Sequence, residues 1–203
     1  MTKRKLTLEK VLPYLLILTG IVGTICSFII SYEKLKLLEN AGYQPSCNLN
    51  PIISCGSVMK SWQGSAFGFP NPWIGLVGFG ILLTIGAGML AGAKFKRWFW
   101  IGLQVGLTLA LIFLGWLLYE SIYQIHALCP YCLTVDIVTI FTFWYTTLYN
   151  LQTGAIKLPG GRRWQAFGKF LRNHHLDILV LVYLIIIFLI FNHFWYYFGS
   201  HLF

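Results

Sequence analysis

Apolar positions dominate this chain in long unbroken blocks, and polar positions collect between them. A helix that crosses a bilayer needs about 20 mainly apolar residues. Five blocks qualify, at about 11–31, 72–93, 98–119, 133–149 and 178–198. The pattern predicts an all-α integral membrane protein, with residues 1–203 as a single membrane domain. Loop 32–71 is the longest between spans, and its second half is amphipathic. Val58, Trp62 and Ala66 recur at helical spacing, with Met59 and Phe67 close to the same face. This predicts a short interfacial helix over 56–67 that caps the outer end of the bundle. Gly68, Pro70 and Pro72 then break it. Segment 154–173 is basic and Gly-rich and carries no chemistry.

Within the spans, Gly75, Gly78, Gly86, Gly102 and Gly106 predict close helix contacts. Gly102 and Gly106 form a G-x-x-x-G. Trp98, Trp100, Tyr119, Tyr123, Trp195, Tyr196 and Tyr197 lie near span ends, where aromatic rings settle at the headgroup level.

Composition agrees with the pattern. The chain of 203 residues is 57% hydrophobic and 10% charged, whereas soluble domains carry about a quarter charged residues. Ser31-Tyr32-Glu33-Lys34 follows the first block in place of a small-residue cleavage site, so the first span is expected to stay in the mature protein. The net charge of +9 is not spread evenly. Lys3, Arg4, Lys5 and Lys10 precede span one. Lys94, Lys96 and Arg97 separate spans two and three, and Lys157, Arg162, Arg163, Lys169 and Arg172 separate spans four and five. Only Lys34, Lys36 and Lys60 fall in the first long loop. Basic residues favour the cytoplasmic side. The bias therefore predicts a cytoplasmic N-terminus, with loop 32–71 and the C-terminus outside, and it removes any need for a nucleic-acid partner.

Five cysteines carry the candidate chemistry. Cys129-Pro130-Tyr131-Cys132 stands where span four begins, and Cys47 and Cys55 lie in the outer loop on the same face. A thiol at a helix N-terminus meets unpaired N–H groups and the positive end of the helix dipole, both of which favour its thiolate. Pro130 suits an early helical position. Two dithiols on one membrane face are what a relay needs to move electrons from a soluble thiol protein into the bilayer. Two plainer readings stay open: a four-cysteine zinc site, and inert disulfides bracing an outer lid. Cys26, inside span one, is read as a small buried apolar residue. Asp136 lies one helical turn after Cys132 on the same face, and an intramembrane carboxyl is costly and usually functional or paired. His126 stands three residues before Cys129 and is a candidate proton shuttle.

Taken in order, Cys47-x7-Cys55, Ser61-Trp62-Gln63-Gly64-Ser65-Ala66-Phe67-Gly68, Asn71 to Gly75 and Cys129-Pro-Tyr-Cys132 resemble the vitamin K epoxide reductase family, and specifically its prokaryotic disulfide-forming members. The resemblance covers about 11–150. It implies a four-helix bundle around a quinone, ubiquinone or menaquinone, capped by the short helix, with span five as an additional crossing. In many prokaryotic relatives such a span leads to a fused thioredoxin-like domain; here the implied partner is a separate periplasmic or other extracytoplasmic thioredoxin-like protein, and the implied location is the inner (plasma) membrane. Carried over by position, Cys132 meets the quinone, Cys129 exchanges with Cys55, and Cys47 receives electrons from the partner. Asn71 matches a quinone-bonding asparagine and Ser61 a serine near the dithiol; Phe67, from the same motif, and Asp136, from its place one turn after Cys132, are further expected quinone contacts. Vertebrate members carry a tyrosine at the position of Asp136, in a motif associated with anticoagulant binding. That departure points to disulfide formation rather than to vitamin K epoxide reduction.

Overall fold

The computed structural model describes residues 8–40, 42–156 and 162–195. Lys3, Arg4, Lys5, Lys157, Tyr196, Tyr197 and the last part of span five lie outside the described residues, as does the side chain of Arg162. Seven α-helices are present among them: α1 (Leu8–Glu39), α2 (Cys55–Lys60), α3 (Pro72–Leu90), α4 (Arg97–Glu120), α5 (Pro130–Thr153), α6 (Arg162–Asn173) and α7 (His175–His193). Five of these are long and apolar enough to cross a membrane.

Helix α1 is the axis of the bundle. Small residues let α3 approach it closely, which is the usual basis of helix association where water supplies no hydrophobic drive. A Cβ added to Gly86 would come within 2.7 Å of the Pro13 carbonyl, and one on Gly75 within 2.4 Å of Ser27 Oγ. On the other side, α5 packs against α1 and α4 against α5. Between α4 and α5 a buried polar link replaces apolar contact: Asn150 Nδ2 donates to Gln104 Oε1 at 2.9 Å, and Gln104 Nε2 donates to Thr147 Oγ1 at 2.8 Å. Such bonds contribute about 0.6–2 kcal/mol each in a bilayer.

Several sequence expectations require correction. Helix α1 does not stop at 31 but continues for two more turns. The reason is that its charged residues find acceptors and donors under the cap: Ser46 Oγ donates to Glu33 Oε1 at 2.8 Å, and the Lys34 ammonium donates to the Met59 carbonyl. The capping segment is not one helix over 56–67. Helix α2 ends at Lys60, Ser61 adopts an extended conformation, and a short 3₁₀ turn, Trp62–Ser65, follows. Finally, Gly78, Gly102 and Gly106 are not packing glycines. A Cβ at any of them would meet nothing within 4 Å, because α3 and α4 stand apart and a cavity lies between them.

Helix α6 occupies a stretch that the sequence left as loop. Its exposed aromatic residues Trp164, Phe167 and Phe170 alternate with Arg163, Lys169 and Arg172, so it is amphipathic at helical spacing. Trp100, expected in the aromatic belt, is instead buried against the Tyr149 ring, with centroids 4.6 Å apart. Helix α7 is mostly exposed and is tied to the bundle at a few points. Trp144 Nε1 donates to the His175 carbonyl at 3.0 Å, and Tyr183 donates to the Ile137 carbonyl at 2.9 Å. At its other end His193 Nε2 meets His126 Nδ1 at 3.0 Å, and Phe194 is enclosed by Ile52, Ile122 and Leu128.

Candidate active site

Each cysteine pair is positioned by local structure that its own sequence specifies. Cys47 and Cys55 form a disulfide with Cα atoms 5.6 Å apart. Asn48, beside Cys47, anchors the start of α2 by accepting the Gly56 N–H at 2.9 Å, while Ser54 caps the helix by accepting the Ser57 N–H. In the second pair, Cys129 is the N-cap of α5 and Pro130 opens the helix. Cys129 Sγ accepts the Cys132 N–H at 3.4 Å. Hydrogen bonding from the Cys132 thiol, helped by the N–H groups of Cys132 and Tyr131, holds the Cys129 thiol below its ordinary value, against burial that pushes it up.

What brings the pairs together is a short parallel bridge between Ile53 and Leu128. Ser54 N donates to the Leu128 carbonyl at 3.0 Å, and Leu128 N donates to the Ile52 carbonyl at 2.7 Å. The residues that follow, Cys55 and Cys129, therefore emerge side by side. Both are buried, at 0% and 2% exposure, in one cluster with Cys47, Met59 and Ile30. Approach to the bridge is shaped by the end of α4, where a π-helical turn, Ser121–Ile125, terminates at His126 with φ +56°. His126 spends its ring on His193 rather than on the cysteines. Cys26 is buried on α1, in the larger apolar cluster.

Below the dithiol lies a cavity of about 720 Å³. Cys129, Cys132 and Asp136 line it from α5, and Asn71 and Phe67 from the cap. Both cysteines of the pair line the cavity, Cys129 as a buried residue and Cys132 as a half-buried one within the first turn of α5. Asn71 is not an idle donor: its Nδ2 gives a hydrogen to the Gln63 carbonyl and its Oδ1 accepts the Ala66 N–H. Ser61 does not line the cavity. Its hydroxyl donates to the Val58 carbonyl at 2.7 Å and finishes the last turn of α2. Polar lining residues that the sequence reading did not single out as site residues include Lys34, Ser27 and Gln63. Gln63 could have been suspected from its place in the capping motif; it donates to Glu120 Oε2 at 2.8 Å and joins the cap to α4.

The cavity is largely apolar. Its volume falls in the range of small-molecule sites. Its walls are mostly aliphatic and aromatic, with a few polar groups at the cysteine end. The gap between α3 and α4 runs past Gly78, Gly102 and Gly106. The zinc alternative loses two of its ligands, because the Cys47 and Cys55 sulfurs are bonded to each other.

A multi-pass helical bundle that gathers two cysteine pairs above an apolar cavity defines a membrane redox protein. The chain belongs to the vitamin K epoxide reductase family, whose sequence model matches residues 14–147. It is accordingly an oxidoreductase that works through cysteines in a membrane, and proteins of this family are quinone-associated in general. No curated protein matches the chain.

Proposed function

We propose that this protein is a membrane thiol:quinone oxidoreductase that generates disulfides, drawing electrons from a separate thioredoxin-like protein through Cys47–Cys55 and Cys129–Cys132. The observation that carries this reading is the Ile53–Leu128 bridge, which sets Cys55 beside Cys129 while Cys132 lines the cavity. A thiolate of the partner attacks Cys47, and the Cys47–Cys55 bond breaks to free Cys55. Cys55 then attacks Cys129 of an oxidised Cys129–Cys132 pair and releases Cys132. The partner's second thiol displaces Cys47 and leaves the partner oxidised. Cys47 takes back Cys55 and releases Cys129, so the inner pair ends as a dithiol. Each exchange breaks one S–S bond and forms another, so its direction follows relative reduction potentials. A bound quinone supplies the oxidising power, taking up two electrons and two protons. Asp136, one turn from Cys132, is placed to hold a proton near the reacting sulfur, and Phe67 and Asn71 shape the cap above the ring. Cys47 is itself buried, so the partner gains access only when loop 40–54 moves.

Orientation follows the charge. Arg97 Nε donates to the Ala155 carbonyl at 2.8 Å, which puts the basic turns around Lys94–Arg97 and the start of segment 154–173 at one end, opposite the cysteines. With positive residues inside, the cysteines face the extracytoplasmic side of a plasma or inner membrane.

The test separates the two pairs. Cys47→Ser should keep quinone reduction driven by dithiothreitol within about threefold of wild type, since a small dithiol reaches the inner pair directly. Oxidation of a reduced thioredoxin-like protein should fall to background in the same variant. If that oxidation survived, Cys47 would not be the entry point.

A further inference from the structure

The outer wall of the cavity holds a cation that the exchange chemistry does not use. Lys34 lies on α1 one turn beyond Ile30, beneath α2, and is only 8% exposed. It lines the cavity together with Ser27, Met59 and Val58. Its ammonium donates to the Met59 carbonyl, which takes one of three N–H donors. No carboxylate pairs with it among the described residues: the ion pairs there are Lys36–Glu39 and His174–Asp177, and Glu33 is engaged by Ser46. Burying an ammonium without a counter-charge is costly, so Lys34 favours an occupant of the cavity that brings acceptor atoms to it. Such an occupant needs acceptor atoms and must fit an apolar cavity. A ring carbonyl meets both demands. Asn71, the amide expected to bind such a carbonyl, has already committed its oxygen and one hydrogen to the cap backbone.

We propose that Lys34 is a carbonyl-binding residue for the quinone, its free N–H groups docking a ring oxygen at the outer end of the cavity, near the dithiol. The inference rests on the proposed function and names the residue that orients the acceptor. An ammonium is also suited to this place because it holds a carbonyl oxygen more tightly as electron density arrives there, and a low-dielectric site magnifies that preference. Lys34 begins and ends the cycle with its own protons. The two protons taken up by the quinone come from the two thiols as the Cys129–Cys132 bond closes.

The test is equilibrium binding, followed by quenching of tryptophan fluorescence, with menadione as the quinone and 2-methylnaphthalene as a ring of like shape without carbonyls. Lys34→Gln keeps a donor for the Met59 carbonyl and removes the charge; Lys34→Arg keeps the charge. Menadione affinity is expected to fall about tenfold or more in Lys34→Gln and to stay within about threefold in Lys34→Arg, with 2-methylnaphthalene binding unchanged in both. Equal menadione affinity in wild type and Lys34→Gln overturns the proposal. So does an equal loss for both rings, which would mark a merely structural lysine. Dithiothreitol-driven turnover is recorded on the same samples. A wild type that binds menadione through Lys34 without turning over would sink the oxidoreductase reading and leave the binding residue standing. Should Lys34→Gln fail to fold, the carbonyl stretch of isotope-labelled menadione on wild type and Lys34→Arg decides. A lowered frequency that differs between the two is expected, and an identical frequency overturns the proposal.

Discussion

Cys132→Ser should reduce dithiothreitol-driven quinone reduction by about a thousandfold or more, to background, because it breaks the inner dithiol at the cysteine that lines the cavity from within α5. The substitution is nearly isosteric and the Cys132 N–H still reaches Cys129 Sγ, so the start of α5 should be unchanged. Cys129 is then left with Cys55 as its neighbouring sulfur, held there by the Ile53–Leu128 bridge. A Cys55–Cys129 disulfide should accumulate under oxidising conditions, and mobility on a non-reducing gel together with peptide mapping would reveal it. Full turnover in this variant would end the assignment of Cys132.

The second large effect is expected at a glycine on α4 that lines the cavity. Gly106→Phe should raise the quinone KM by about tenfold or more while leaving thiol–disulfide exchange between the two cysteine pairs intact. A Cβ at Gly106 meets no atom within 4 Å, so the benzyl group has room to enter the cavity of about 720 Å³ without displacing the backbone. The ring would occupy space needed by the acceptor. Helix stability should hold, since glycine is the weaker helix former. Kinetics with varied quinone, alongside trapping of the exchange intermediates in its absence, would distinguish this from general damage. An unchanged quinone KM would place the acceptor elsewhere.

The five spans and the two cysteine pairs were legible because they follow from single-chain rules: block length against bilayer thickness, and thiol spacing at a helix start. The family resemblance then supplied Asn71, Phe67 and Ser61, of which the first two line the cavity and the third bonds the Val58 carbonyl instead. What could not be read depended on contacts distant in sequence. Lys34 looked like an interfacial residue in a polar loop, and only the Met59 carbonyl, 25 positions away, shows that it is buried. Gly102 and Gly106 had the spacing of a packing motif, but spacing cannot tell whether a helix or a void lies opposite. Segment 162–173 hid its helix because glycines and charges mask a short amphipathic period. The Ile53–Leu128 bridge is closed by Ile52 and Ser54 on one side and Leu128 alone on the other, too short to leave a periodic trace.

That bridge also contains its own gauge of motion. The amides of Ser54 and Leu128 donate across it, at 3.0 and 2.7 Å, and among the described residues they are the backbone hydrogen bonds that join the capping loop to the approach of α5. An amide exchanges its hydrogen only when its bond opens, so these two protons count the openings of the cap one by one. Their deuterium uptake, compared between reduced and oxidised protein, would report how often the electron route is interrupted, with no label or substitution on the chain.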